Sequence, residues 1–205
     1  MVEHGKYYQP LAGVERTHHH LPHWSQSDTW TFATWRLADA LPKQKLEQWR
    51  LEKTAWLNVH PEPWDRETMM EYEQRFTMKI DEWLDQGSGS CLLRKHKFRS
   101  VVSDALKYFE GERYHLSNFV VMPNHVHVLF APTEGFPLPG ILQSWKRHTS
   151  REINKLAARS GRLWQDEYWD RLVRNERHFQ RVDRYIRENP VKANLREGEF
   201  ELYHR

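Results

Sequence analysis

The chain has 205 residues, with 31 Lys and Arg against 28 Asp and Glu, and its single cysteine excludes an intrachain disulfide. The length predicts one domain with a substantial core, and 10 Trp, 9 Phe and 8 Tyr exclude disorder over most of the chain. No stretch is apolar and long enough for a membrane helix, and the N-terminus lacks the basic-then-apolar pattern of a signal peptide. We therefore expect a cytoplasmic protein with no membrane partner.

The positive charge is concentrated near the C-terminus. Residues 141–205 hold 15 Lys and Arg against 10 Asp and Glu, whereas the preceding part of the chain is slightly acidic. Basic residues beside many aromatic side chains are typical of a surface that binds nucleic acid. The same pattern also fits ordinary solvated helices, and charge alone leaves both interpretations open.

The first half of the chain predicts an arm, a strand and a helical insertion. Residues 1–28 are rich in His, Pro, Gln and Ser and predict an N-terminal arm, and the alternating Thr29–Leu37 predicts a strand. Lys43–Leu57 and Arg66–Leu84 predict two helices, and the Gly-Ser repeat that follows predicts a flexible joint. Residues 42–90 therefore form a predicted helical insertion.

The second half predicts the core of the fold. In chain order we expect a helix over Phe98–Phe109, strands Arg113–Val121 and Asn124–Ala131, a helix over Leu138–Leu156, a strand over Tyr168–Val173, a helix Glu176–Glu188 ended by Asn189-Pro190, and a tail over 196–205. Without the insertion this order is that of an α+β, ferredoxin-like split βαβ fold, an antiparallel sheet with helices on one face. The domain would span 29–195, with function on the open face of the sheet.

Two histidines in the central strand are the strongest chemical signal. His125 and His127 lie two residues apart, so both imidazoles point to the same face of a strand. Such a pair provides half of a metal site. It also fits two surface histidines with no ligand, since two ligands do not complete a site.

Tyr185 and Asn189 lie four residues apart on the last helix, so both occupy one of its faces. An asparagine carbonyl can bind a hard metal ion, and a phenol can attack a phosphate that a metal polarises. The spacing alone is first of all that of a packed tyrosine and a helix-terminal asparagine before Pro190.

The segment Asn124–His127 after Val-Met-Pro, taken with Tyr185–Ala193 (YIRENPVKA), resembles the single-tyrosine HUH transposases of bacterial insertion sequences. It is most similar to their REP-associated tyrosine transposase branch. Weaker similarity to that branch extends over Thr31–Leu41, Gly111–Tyr114, Ser144–Lys146 and Trp164–Arg174. The resemblance is thinnest over the helical insertion.

This resemblance implies a catalytic site and a substrate. His125, His127 and Asn189 would bind a divalent metal, Mg or Mn, with Mn preferred by the imidazoles. Tyr185 would be the nucleophile, and the substrate would be single-stranded DNA with REP-like hairpins. The reaction would be cleavage and rejoining of that strand through a 5′-phosphotyrosine intermediate, by a monomer or a homodimer.

Basic residues near these motifs are candidates for DNA binding, because Lys and Arg contacts to phosphates position DNA without reading its sequence. The candidates are Lys146, Arg147, Arg151, Arg174, Arg181, Arg184 and Lys192.

The leading hypothesis is therefore a metal-dependent DNA endonuclease and strand transferase. Two alternatives stay open: a non-catalytic, structure-specific DNA- or RNA-binding protein on the same scaffold, and a zinc-dependent hydrolase. The hydrolase would take a third ligand from Asp166, Glu167 or Asp170, with Tyr185 uninvolved.

Overall fold

The computed structural model describes residues 5–10, 15–18, 22–61 and 64–205. Its strands are β1 (Glu15–His18), β2 (Pro22–Ser25), β3 (Thr31–Arg36), β4 (Tyr114–Val121), β5 (His125–Pro132), β6 (Trp169–Leu172) and β7 (Glu201–His204). Its α-helices are α1 (Lys43–Val59), α2 (Arg66–Tyr72), α3 (Lys79–Asp85), α4 (His96–Lys107), α5 (Leu138–Leu156) and α6 (Glu176–Lys192). A π-helical segment, Glu73–Met78, joins α2 to α3, and a short 3₁₀ turn, Leu92–Arg94, precedes α4.

A five-stranded antiparallel sheet forms the centre of the fold. Its strand order is β6-β3-β5-β4-β7. The order of the first four strands, with α4 after β3 and α5 after β5, is that of the ferredoxin-like fold, which confirms the predicted class. Each predicted core element is present, within a few residues of its expected bounds.

The two faces of the sheet pack against different helices because side chains alternate along each strand. On β5, Val126, Val128 and Phe130 belong to the core beneath α4 and α5, whereas Leu129 and Ala131 belong to a second cluster with α6. The face expected to be open is therefore covered by α6, whose apolar residues Phe179, Val182 and Ile186 require burial.

Two predictions about the C-terminal region are wrong. The last helix does not end at Asn189-Pro190 but continues to Lys192. Proline removes one helical hydrogen bond, yet Pro190 is buried here, and the amides of Ala193 and Leu195 still donate to the carbonyls of Asn189 and Pro190. The tail then contributes β7, which pairs with β4 at the edge of the sheet.

The Gly-Ser segment, predicted to be a flexible joint, is instead a docked turn. Gly89 has a φ of +86°, and a Cβ there would lie 2.3 Å from the carbonyl oxygen of Asp39. The amide of Ser90 donates to the Asp39 carboxylate at 2.9 Å. Glycine is required here both by backbone conformation and by space, and the turn holds the end of the insertion against the sheet.

Of the predicted arm, residues 1–28, the structure describes residues 5–10, 15–18 and 22–28, and the rest lies outside the described residues. The described parts are more structured than their composition indicates. The backbone of Lys6 exchanges hydrogen bonds with Asp28 and Trp30, and the amide of Tyr8 donates to Val173. β1 and β2 form an antiparallel hairpin. Within the described ranges no helix is long and apolar enough to cross a membrane.

Candidate active site

Both histidines of β5 lie in the space between the sheet and α6. His125 and His127 are at most 1% exposed, and their ring centroids are 4.6 Å apart. Both rings face the same way, as the alternation of the strand predicted. In each ring Nδ1 is hydrogen-bonded, and Nε2 has no hydrogen-bond partner among the described residues.

Asn124 fixes the orientation of His125. The amide nitrogen of Asn124 donates to the carbonyls of Leu84 and Ser88, both at 3.1 Å, so its Oδ1 is turned toward Nδ1 of His125 at 2.7 Å. Because Oδ1 can only accept, Nδ1 carries the proton and Nε2 carries the lone pair. This is the arrangement in which a second polar group prepares an imidazole to bind a metal.

Thr34 on β3 holds the second histidine in a similar way. Its hydroxyl lies 2.7 Å from Nδ1 of His127, its direct neighbour across the sheet. Nε2 of His125 and Nε2 of His127 are both buried and lack a hydrogen-bond partner within the described structure. Two buried imidazole nitrogens without partners require a physical explanation.

α6 brings the tyrosine and the asparagine to the same place. Its N-terminus is capped by the side chain of Asn175, and its apolar face packs on the sheet. The Tyr185 ring lies 5.2 Å from the His127 ring and 5.8 Å from the Phe32 ring, edge to face with both. Tyr185 is therefore positioned beside the histidines and stays partly exposed.

One turn later, Asn189 is fully buried. Neither its Oδ1 nor its Nδ2 has a hydrogen-bond partner among the described groups. Its side chain lies close enough to His125 to affect that residue's pKa, although no hydrogen bond of regular geometry joins them. Two imidazole nitrogens and an amide oxygen are a donor set that fits a divalent cation.

Burial keeps both imidazoles neutral. It lowers the pKa of His125 to about 3, with a contribution from the nearby Arg36 guanidinium. Burial also lowers the pKa of His127 well below its ordinary value, and the neighbouring His125 adds to this effect. Neutral imidazole is the form that binds a metal ion.

Charged residues from two elements approach the tyrosine. Nζ of Lys192 lies 5.1 Å from the centre of the Tyr185 ring. Asp85 lies at the end of α3, close enough to Lys192 for the positive charge to lower the pKa of Asp85. Burial has the larger effect and raises this pKa to about 6. The end of the helical insertion thus reaches the neighbourhood of Tyr185, which its sequence did not indicate.

The predicted DNA-binding cations lie on both sides of the sheet. Lys146 belongs to α5, and its ammonium donates to the carbonyls of Gln165 and Asp166, both at 2.7 Å, so it is already engaged within the protein. The other candidates are exposed: Arg147 and Arg151 on α5, Arg174 before α6, and Arg181, Arg184 and Lys192 on α6. Because α5 and α6 cover opposite faces of the sheet, these residues do not form one surface.

The zinc-hydrolase alternative lacks its acidic ligand. No three side chains of the His, Cys, Asp and Glu types come together within the described part of the chain. This includes Asp166, Glu167 and Asp170, which were the candidates for that role.

Comparison with known proteins gives a partial family match. Residues 93–189, a little under half of the chain, match the family model of the IS200-like transposases. This stretch is therefore similar to an IS200-like transposase domain. The matched stretch begins before α4 and ends at Asn189, so it contains both histidines and Tyr185. No curated protein matches this sequence.

Two solved structures resemble this chain. One, of a REP-associated tyrosine transposase bound to a REP hairpin, is 14% identical, covers 85% of this chain and 74% of its own, and has a TM-score of 0.46. The other, of a protein from Deinococcus radiodurans R1 described as a "putative transposase", is 12% identical, covers 90% of this chain and 97% of its own, and has a TM-score of 0.33. At this level of similarity we draw no inference from either structure.

The structure brings together the four residues that the sequence predicted for the site, His125, His127, Tyr185 and Asn189, whereas the groups that orient the histidines were not predicted. Asn124 directly precedes the histidines, so its place in the motif was a signal that could have been used. Thr34 lies 93 residues away in sequence and meets His127 only through strand pairing, so no local pattern could have revealed it.

Proposed function

We propose that this transposase is a metal-dependent single-strand DNA endonuclease and strand transferase of the REP-associated tyrosine class. One observation carries the proposal. The neighbouring Nε2 atoms of His125 and His127 and the amide of Asn189 are all buried and lack hydrogen-bond partners in the described structure, and a shared ligand beside Tyr185 would account for this.

His125, His127 and Asn189 would hold the divalent cation, Mg or Mn. When bound there, such a cation would withdraw charge from the scissile phosphate. The neutral state of both imidazoles, which burial maintains, supports this assignment. Asn124 and Thr34 would keep the two rings in the orientation that presents Nε2.

Tyr185 would be the nucleophile. Its hydroxyl oxygen forms a bond to phosphorus, the bond from phosphorus to the 3′ oxygen breaks, and the phenol proton is lost while the 3′ oxygen gains one. The products are a 5′-phosphotyrosine and a free 3′-hydroxyl, and attack by a 3′-hydroxyl reverses the step. The rings of Phe32 and His127 contact the Tyr185 ring edge to face, and Nζ of Lys192 lies 5.1 Å from its centre.

The proposed substrate is single-stranded DNA with REP-like hairpins. This choice rests on the resemblance of Asn124–His127 and Tyr185–Ala193 to the REP-associated branch. The exposed arginines Arg181 and Arg184 lie on the tyrosine helix, where they would contact the phosphate backbone without reading sequence.

The experiment is a covalent-trapping assay. Protein is mixed with labelled single-stranded DNA carrying REP-like hairpins from its own genome, with Mn²⁺ or Mg²⁺, and analysed for a protein–DNA adduct that survives denaturation. We expect an adduct that is lost in Tyr185→Phe and in His125→Ala. Tyr203→Phe is the matched control, because Tyr203 is also partly buried and also packs on a phenylalanine.

An adduct that persists in Tyr185→Phe would move the nucleophile elsewhere. Tight binding with no adduct under any metal condition would favour the non-catalytic alternative.

A further inference from the structure

A second cavity lies between the helical insertion and the edge of the sheet. It has a volume of about 80 Å³ and is partly open to solvent. The insertion contributes Trp49, Lys53, Tyr72 and Phe76, and the sheet side contributes Thr34 and Trp169 among others. None of His125, His127, Tyr185 and Asn189 lines this cavity.

The cavity and the candidate active site share a wall. Thr34 lines the cavity and holds Nδ1 of His127 at 2.7 Å. Trp169 also lines it and packs edge to face on Phe32, whose ring stacks on His127. Thr34 would therefore stand between a group bound in the cavity and the candidate metal ligand His127. A DNA strand held at Tyr185 would pass close to the cavity.

The walls match a flat aromatic ligand that belongs to a polyanion. Trp49 and Tyr72 are flat side chains, and Nζ of Lys53 lies 5.0 Å and 5.4 Å from the centres of their rings. Stacking on aromatic side chains beside a cation is how proteins hold unpaired bases of single-stranded nucleic acid.

The cavity also offers a hydrogen-bond acceptor. Glu167 lines it, and Oε2 of Glu167 is buried with no hydrogen-bond partner among the described residues. Its negative charge is close enough to raise the pKa of Lys53, although burial dominates and lowers that pKa to about 8. A buried carboxylate oxygen without a partner requires a donor, and the N–H groups on the edge of guanine provide two.

We infer that this cavity is a base pocket that takes one unpaired nucleobase, guanine above the others, from the strand bound at the active site. The base stacks against Trp49 and donates to Glu167. This inference rests on the proposed function, since it requires that the chain bind single-stranded DNA, and it gives the helical insertion a role in substrate selection.

The test measures binding separately from cleavage. Full-length protein is titrated, in the presence of EDTA, against fluorescent oligothymidylates that carry one central guanine or one abasic site. Anisotropy should show the guanine strand bound about tenfold more tightly than the abasic strand, the loss expected for one stacked base. Equal affinity for the two strands in the wild-type protein would overturn the inference without any variant.

Variants then locate the pocket. Trp49→Leu should remove the preference for guanine over the abasic site, whereas Trp83→Leu, a partly buried tryptophan of the same insertion outside the cavity, should keep it. Glu167→Gln should reduce the preference for guanine over thymine. The same loss in Trp49→Leu and Trp83→Leu would place the base elsewhere.

The two proposals fail in distinguishable ways. If a Tyr185 adduct forms but the guanine preference is absent, the base pocket is wrong and the proposed function stands. If the preference is present and depends on Trp49 but no adduct forms, the pocket stands and the nuclease assignment fails.

Discussion

Asn124→Ala tests whether the residue before the histidines orients the site. The wild-type side chain is 1% exposed and makes three hydrogen bonds: two donated to the carbonyls of Leu84 and Ser88, and one accepted from Nδ1 of His125. Alanine removes all three and leaves two carbonyls and one imidazole N–H unpaired in the interior.

The magnitude follows from those three bonds. A buried hydrogen bond contributes about 1 kcal/mol net, and an orphaned partner adds to the loss, so Asn124→Ala should lower the free energy of unfolding by about 3 kcal/mol. Because His125 is no longer held in the tautomer that presents Nε2, affinity for Mn²⁺ should also fall, by about 10- to 100-fold.

The measurements are urea unfolding for stability and isothermal titration calorimetry with Mn²⁺ for metal affinity. Asn118→Ala is the matched control, because Asn118 is also buried in the sheet but its amide donates to Asp183 and not to a group that orients a histidine. It should lose stability but keep its Mn²⁺ affinity. If the two variants bind Mn²⁺ equally well, Asn124 has only a structural role and the orientation argument is refuted.

Three further predictions concern the turn, a buried acid and a cation. Gly89→Ala should destabilise the protein by about 3 kcal/mol in thermal unfolding, because an alanine there would adopt a positive φ and clash with Asp39. Gly111→Ala, also at positive φ but in open space, should cost about 1 kcal/mol. Similar losses of stability in the two variants would contradict the docked turn. Burial raises the pKa of Asp85 from 3.8 to about 6, so the folded state holds this proton more tightly, and the stabilisation present below pH 3.8 is lost as pH rises through about 6. Asp85→Asn should therefore be about 1 kcal/mol more stable than wild type at pH 8, a value already reduced for the partial exposure of Asp85, and equal to wild type in acid. Urea unfolding of both proteins at both pH values measures this. The same difference in free energy of unfolding at the two pH values would refute the prediction. Lys146→Gln should lower the free energy of unfolding by about 1–2 kcal/mol, because two carbonyls lose their donor. Arg147→Gln, at the exposed neighbouring position, should leave urea unfolding unchanged. A loss of stability in Arg147→Gln but not in Lys146→Gln would contradict the engagement of Lys146 within the protein.

Much of the fold follows from the sequence because its signals are local. The alternation of His and Val marks β5, and the three- and four-residue spacing in Leu138–Leu156 gives α5 with the bounds expected. The histidine pair and the Tyr185–Asn189 spacing each predict two side chains on one face, and both are so placed.

What the sequence did not reveal depends on packing between distant segments. Pro190 reads locally as the end of a helix, yet burial of Asn189 and Pro190 against the sheet carries the helix onward. β7 is a short segment of alternating exposure that becomes a strand only by pairing with β4. The contact between Asn124 and the end of α3 likewise joins residues 36 and 40 positions apart.

The most direct test of the central claim is to identify the covalently bound residue and the end of the DNA attached to it. The trapped adduct is digested with trypsin, and the DNA-linked peptide is sequenced by mass spectrometry, with the substrate labelled at its 5′ end or its 3′ end in parallel. The account predicts that the linkage lies on Tyr185 within the peptide Tyr185–Arg187 and that the 3′-labelled fragment stays with the protein. A linkage on any other residue, or retention of the 5′-labelled fragment, would contradict it.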